Sequence, residues 1–263
     1  MAEIEWLGTT IYANEPTNWV GGALPVAGTD TVLFANNKPC TWNFAGTWSA
    51  CTINASCSAA LTIYTNGVTF TTFTMATGTT GSLTQNAGTA VTLVTFIHQA
   101  GTFTQVGNVT STTYTKSGGI LIGSVSYIWT FNGTSCSFTD STSATVSWNI
   151  RLLWTTSGTI SNNAVSGNSS MQSIVISDGV TLTCAGTNSL TSCGLISWTI
   201  GTGAVVNITG GGTYGATCYA GYTGWSFTNN GTIQGTGVFT FWGSTPSANI
   251  TINFGTIIPT KIY

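Results

Sequence analysis

Short strand-like runs, set apart by Gly, Asn and Ser, recur along the whole chain. Leu61-Thr62-Ile63-Tyr64, Val91-Thr92-Leu93-Val94, Ile174-Val175-Ile176 and Val180-Thr181-Leu182-Thr183 are examples, followed by Val205-Val206-Asn207-Ile208, Val238-Phe239-Thr240-Phe241 and Ile250-Thr251-Ile252-Asn253-Phe254. Apolar residues alternate with Thr or Asn, so every second side chain falls on one face, the signature of a half-buried strand. No stretch places apolar residues at i, i+3, i+4 and i+7 between charged ones, as an amphipathic helix requires. The chain is therefore read as all-β.

The runs also echo one another. Gly81-Ser82-Leu83-Thr84-Gln85 returns as Gly101-Thr102-Phe103-Thr104-Gln105, and Gly119-Ile120-Leu121, Gly158-Thr159-Ile160 and Gly231-Thr232-Ile233 share the Gly-led start. A step of about 20 residues lies in the range of repeat architectures. A right-handed parallel β-helix, or β-solenoid, accommodates it by stacking one coil on the next, with apolar residues inward and Thr, Ser and Asn in outward ladders. A β-sandwich or jelly roll is the alternative, supported by the hairpin-like pairs Asn66-Gly67, Asp178-Gly179 and Asn230-Gly231.

The outward ladders hold almost no charge. Among 263 residues there are 4 Lys+Arg, 6 Asp+Glu and 1 His. Nucleic-acid binding needs clustered Lys and Arg to replace phosphate counterions, and a polybasic membrane patch needs the same, so neither partner is expected. No run reaches the length of an apolar membrane span. A surface of hydroxyls and amides stays wet but does not repel its neighbours, which suits a chain held in an assembly. Copies of the chain itself are the first expected partner, a trimer being one such assembly.

The residues of enzymatic chemistry are scarce. Polysaccharide-cleaving solenoids use carboxylate pairs, whereas Asp140 and Asp178 lie far apart in sequence, and Arg151 and Lys116 are isolated. Asp140 and Arg151 would at most form one ion pair. His98, at the end of Phe96-Ile97-His98, reads as a hydrogen-bonded structural residue. Gly210-Gly211-Gly212-Thr213 lacks the Lys and the helix of a phosphate loop and reads as a turn. No catalytic, cofactor or metal residues are assigned. The cysteines Cys40, Cys51, Cys57, Cys136, Cys184, Cys193 and Cys218 form no CxxC pair and read mainly as small core residues. Cys51–Cys57 and Cys184–Cys193 are the local disulfides the spacing would allow.

The opening reads Trp6-Leu7-Gly8, then Asn18-Trp19-Val20-Gly21-Gly22-Ala23-Leu24-Pro25, then Gly28-Thr29-Asp30-Thr31-Val32-Leu33-Phe34. This resembles the W-x-G…N-W-x-x-G-x-x-P-x-x-G-x-D-x-V-x-F start of β-solenoid surface proteins, autotransporter-like passengers and bacteriophage virion proteins among them. The resemblance covers residues 1–34 and implies a right-handed β-helix after it. We read residues 1–34 as an N-terminal cap or attachment segment and 35–263 as the solenoid body. Residues 1–6 show neither the basic nor the apolar region of a signal peptide, which favours a virion protein folding in the host cytoplasm.

These readings converge on a non-enzymatic virion structural protein: a capsid decoration, fibre or spike, contacting its own copies and other virion proteins. An extracellular filament or adhesin subunit at the cell surface is one alternative, and a glycan-binding β-helix is another. Ten tryptophans bear on the last. Their ordinary use is core stacking, but an exposed aromatic row also stacks on sugar rings. Tyr214, Tyr219, Tyr222 and Trp225, in a Gly-rich stretch, are the candidates for glycan or subunit contacts.

Overall fold

Parallel pairing organises the chain. The computed structural model describes residues 2–124, 126–141, 147–162, 170–187, 190–192, 197–211, 213–218, 226–243, 251–253 and 256–259. They belong to two compact units, Met1–Tyr127 and Ile128–Tyr263. Both units are parallel β-solenoids.

In the first unit, β1 (Glu3–Glu5), β2 (Thr31–Phe34), β4 (Gly46–Ile53), β6 (Val68–Met75) and β8 (Val91–His98) stack in that order. Both β10 (Val109–Ser111) and β11 (Thr113–Lys116) then pair with β8. A second sheet stacks β3 (Cys40–Trp42), β5 (Ala60–Ile63), β7 (Ser82–Gln85), β9 (Thr102–Thr104) and β12 (Ile120–Ile122). The Gly81 and Gly101 echoes are neighbours in this sheet: Ser82 pairs with Thr102, Leu83 with Phe103 and Thr84 with Thr104. Sequence repetition here is rung-to-rung register.

The long strands turn a corner. In β6, Val68 and Phe70 point inward, then Phe73 and Met75, so the alternation slips by one at Thr71-Thr72. In β4 the same slip separates Trp48 from Cys51, and in β8 it separates Leu93 from Phe96. Two consecutive outward residues bend the strand and give the coil two faces; β3, β5, β7, β9 and β12 supply another.

In the second unit, one stack runs β13 (Ile128–Phe131), β15 (Ser147–Trp154), β17 (Ser170–Ile176), β20 (Ser197–Ile200), β23 (Ser226–Asn229) and β26 (Thr251–Asn253). Another runs β14 (Cys136–Asp140), β16 (Gly158–Asn162), β18 (Thr181–Ala185), β21 (Val205–Ile208), β24 (Thr232–Gly235) and β27 (Thr256–Pro259). A third joins β19 (Leu190–Ser192), β22 (Thr213–Cys218) and β25 (Val238–Gly243). The sandwich alternative needs antiparallel ladders; among the described residues the sole antiparallel pairing is the Trp6–Trp19 bridge. Gly67 and Gly179, read as hairpin signals, instead take positive φ at turns between faces of a coil (75° and 70°).

Aromatic rings fill the first unit. Trp19 meets Trp42 at 6.1 Å, Trp42 meets Phe70 at 5.3 Å, Phe70 meets Phe73 at 5.3 Å and Phe73 meets Phe96 at 5.7 Å. Most contacts are edge-to-face, the favourable arrangement for ring quadrupoles. Each buried side chain contributes roughly 1.5–3 kcal/mol by leaving water. In the second unit Phe131 stacks on Trp154 at 4.5 Å, and Trp198 meets Phe239 at 5.5 Å.

Turn side chains tie one coil to the next. Asn66 accepts the Ala90 amide, Asn37 the Ser58 amide, Ser157 the Thr181 amide and Asp178 the Thr202 amide, each partner one coil further along the chain. Neutral Asn and Ser do most of this, so turn satisfaction makes little demand for charge.

The N-terminal segment folds back against the end of β1. Leu7 N–H donates to Asn18 O and Val20 N–H to Glu5 O, laying residues 18–20 against that end. Asn18 is fully buried. Its amide donates to Tyr12 O (2.7 Å) and Thr10 Oγ1 (2.8 Å), and its carbonyl oxygen accepts from Thr10 N (2.7 Å) and Thr9 Oγ1 (2.5 Å). Trp19 Nε1–H donates to Ala13 O at 2.7 Å, and the Asp30 carboxylate accepts the Val26 amide at 2.8 Å.

Candidate functional site: hydroxyl ladders and a groove

Alternation along each strand sends Thr and Ser outward, and parallel register aligns them. In the first unit Thr41, Thr62, Thr84 and Thr104 form one ladder, and Thr47, Thr69, Thr92 and Thr110 another. In the second unit Ser137, Thr159, Thr183, Asn207 and Gln234 align across β14, β16, β18, β21 and β24. These residues sit half-buried to exposed on the outer wall. Rungs are about 4.8 Å apart, the ordinary interstrand spacing.

The second-unit ladder borders a groove of about 380 Å³. Ser135, Ser157 and Thr181 precede the paired residues Cys136, Gly158 and Leu182, so a second hydroxyl row runs beside Ser137, Thr159 and Thr183. Ser135 has φ of 57°, the one positive value among described non-glycine residues. Gly158 lines the groove only through its backbone: it stands in register with the inward residues Cys136 and Leu182, and a Cβ there would meet Cys136 O at 2.3 Å and the buried Trp154 Cζ3 at 2.7 Å. No charged side chain lines the groove.

The groups singled out for chemistry lie apart from this groove. His98 is fully buried in the first unit. Its ring stacks on Phe96 at 5.6 Å, Nδ1 lies 3.2 Å from Tyr114 Oη, and Nε2 lies 3.4 Å from Gly101 O. With Nε2–H donating to the carbonyl, Nδ1 accepts the Tyr114 hydroxyl. Burial, with Lys116 nearby adding to it, lowers the His98 pKa to about 4, so the ring is neutral at pH 7. Asp140 is buried at the inward end of β14, whereas Arg151 is half-buried on the outward side of β15. Asp178 accepts the Thr202 amide at 2.7 Å in a turn. Among the described residues no group of three His, Cys, Asp or Glu side chains is placed to hold a metal ion.

The reading of the cysteines as small core residues holds for Cys40, Cys51, Cys57, Cys136 and Cys184, and the alternative Cys51–Cys57 bridge is not formed. Cys51, Cys57 and Cys184 are free thiols, as are Cys40 and Cys136. Cys51 occupies an inward rung between Val32 and Phe73, and Cys184 one between Ile160 and Ile208. Cys57 donates its thiol to Asn36 O at 2.8 Å. Inward alternation makes these residues core atoms, and burial pushes the thiols of Cys40, Cys51, Cys57 and Cys184 up, away from reactive thiolate. Cys193 lies outside the described residues.

Tryptophan is mostly core: Trp6, Trp19, Trp42, Trp48, Trp129, Trp154 and Trp198 are fully buried. Of the glycan or subunit candidates, Tyr214 lies on β22, paired with Leu190 and Phe239. Tyr219, Tyr222 and Trp225 lie outside the described residues. Comparisons of the chain with protein-family models, curated proteins and solved structures found no significant match.

Proposed function

We propose that this chain is a non-enzymatic structural subunit of a virion, a capsid decoration, fibre or spike that packs against copies of itself and against other virion proteins. The observation that carries the reading is the wall itself: a β-solenoid whose outer ladders are Thr, Ser and Asn, with 4 Lys+Arg and 6 Asp+Glu in the whole sequence. Surface charge is what ordinarily keeps soluble proteins apart. Here flat hydroxyl faces can approach one another without charge desolvation or repulsion.

The N-terminal segment adds support. Leu7, Ile11, Tyr12, Val20, Leu24 and Val26 are exposed within it, against Tyr64, Ile120 and Ile122 elsewhere among the described residues. Exposed apolar side chains gathered in one short segment are the composition of a contact surface. The test is immunogold electron microscopy of native particles with an antibody raised against the purified chain. Label on the particles is the expected result; label confined to free protein overturns the reading.

A further inference from the structure

We propose that the groove over β14, β16 and β18 binds a neutral oligosaccharide. Its lining is a grid of hydroxyls, two on each of three successive coils: Ser135 and Ser137, Ser157 and Thr159, Thr181 and Thr183. Each hydroxyl both donates and accepts, as each sugar hydroxyl does. Successive rungs stand about 4.8 Å apart and the two residues of a rung about 6.6 Å apart. An extended sugar chain lying across the strands therefore meets a fresh pair of hydroxyls at roughly each ring.

The lining also states what the ligand is not. No charged side chain stands in the groove, so a sulfate, phosphate or carboxylate would lose hydration without a compensating partner. The volume of about 380 Å³ falls at the lower end of small-ligand sites.

The groove is held in shape before any ligand arrives. Ser157 Oγ accepts the Thr181 amide at 3.0 Å, fixing one row. Cys136 Sγ lies 3.1 Å from Thr156 Oγ1, which accepts the Gly133 amide at 3.2 Å, fixing the turn before β14. Ser135, at φ 57°, sits at the rim in a left-handed conformation that costs a non-glycine residue on the order of 1 kcal/mol. Backbone strain maintained at a cavity rim is a mark of functional sites. With no aromatic platform among the lining residues, affinity on the order of 1 mM is expected.

The test is saturation-transfer NMR on the full chain with cellohexaose, maltohexaose and N-acetylchitohexaose, and with a heparin hexasaccharide as the anionic comparison. Saturable binding of at least one neutral sugar is expected, with the heparin probe weaker. The double variant Thr159→Val, Thr183→Val keeps β-branched side chains of nearly the same shape on the outer wall and should weaken binding about tenfold, or 1.4 kcal/mol. Thr62→Val with Thr84→Val, the same change on a first-unit ladder, should leave it unaltered. Hydrogen exchange on the unmodified chain gives a readout independent of variant folding: the bound sugar should protect residues 135–137, 157–159 and 181–183. Absence of saturable binding to every neutral probe, a preference for the heparin probe, equal losses in the two double variants, or protection elsewhere would each overturn the proposal.

Discussion

The Nδ1 atom of His98 lies 3.2 Å from the hydroxyl oxygen of Tyr114, inside a wall of rings that excludes water from both. In register, Met75 on β6 and Lys116 on β11 stand on either side of His98. Burial, with a smaller contribution from Lys116, lowers the His98 pKa from 6.5 to about 4. The unfolded chain thus binds a proton that the folded chain refuses between those values. The stability contributed is complete above pH 6.5 and is lost as the pH falls toward 4, by about 3 kcal/mol in all. Urea midpoints at pH 7 and pH 4.5 check this. His98→Phe should reduce the difference; an equal difference in the variant would count against His98 as its source.

Gly119 is expected to be intolerant of any side chain. A Cβ there would lie 2.3 Å from His98 Nε2 and 2.6 Å from Gly101 O, and its φ is 70°. Gly88 has a similar φ of 78° with nothing within 4 Å of the added carbon. Gly88→Ala should cost about 1–2 kcal/mol from backbone strain alone. Gly119→Ala adds a clash to the same strain and should cost at least twice as much. Guanidinium denaturation of both variants separates the two terms.

Phe70 joins Trp42 at 5.3 Å, Trp48 at 5.8 Å and Phe73 at 5.3 Å. Phe70→Ala should destabilise by about 3–5 kcal/mol, since the surrounding rings cannot collapse into the space. Thr69→Ala, one residue away but outward, should stay within about 0.5 kcal/mol. Calorimetry of the pair reports whether the alternation assigned to β6 is right.

The buried thiols should resist an aromatic disulfide reagent in the folded chain and react on unfolding. A native mass lower by two hydrogens per bridge, localised by peptide mapping to Cys51 and Cys57, would contradict their assignment as free thiols.

The Gly81 and Gly101 echoes were legible as a repeat because parallel stacking places equivalent residues directly above one another. Val205 to Ile208 was legible as a strand because its alternation is unbroken. Corners were not: Thr71-Thr72 interrupts the alternation within β6, and two outward residues in a row look like the end of a strand. The core reading of the cysteines was legible from composition, whereas spacing left the Cys51–Cys57 bridge open; in the fold Cys51 fills a rung between Val32 and Phe73, and the Cys57 thiol donates to Asn36 O. The groove is not legible in the sequence, because it depends on register between coils. Ser135, Ser157 and Thr181 each look like an ordinary turn residue, and only the register of three coils brings them into one row.

The central claim, that an uncharged wall serves self-association, is tested most directly by sedimentation velocity of the full chain across a concentration series from low salt to about 1 M. A discrete oligomer, its distribution unmoved by salt because charge does not hold it together, is the expected result. A monomer at every concentration and salt would contradict the account.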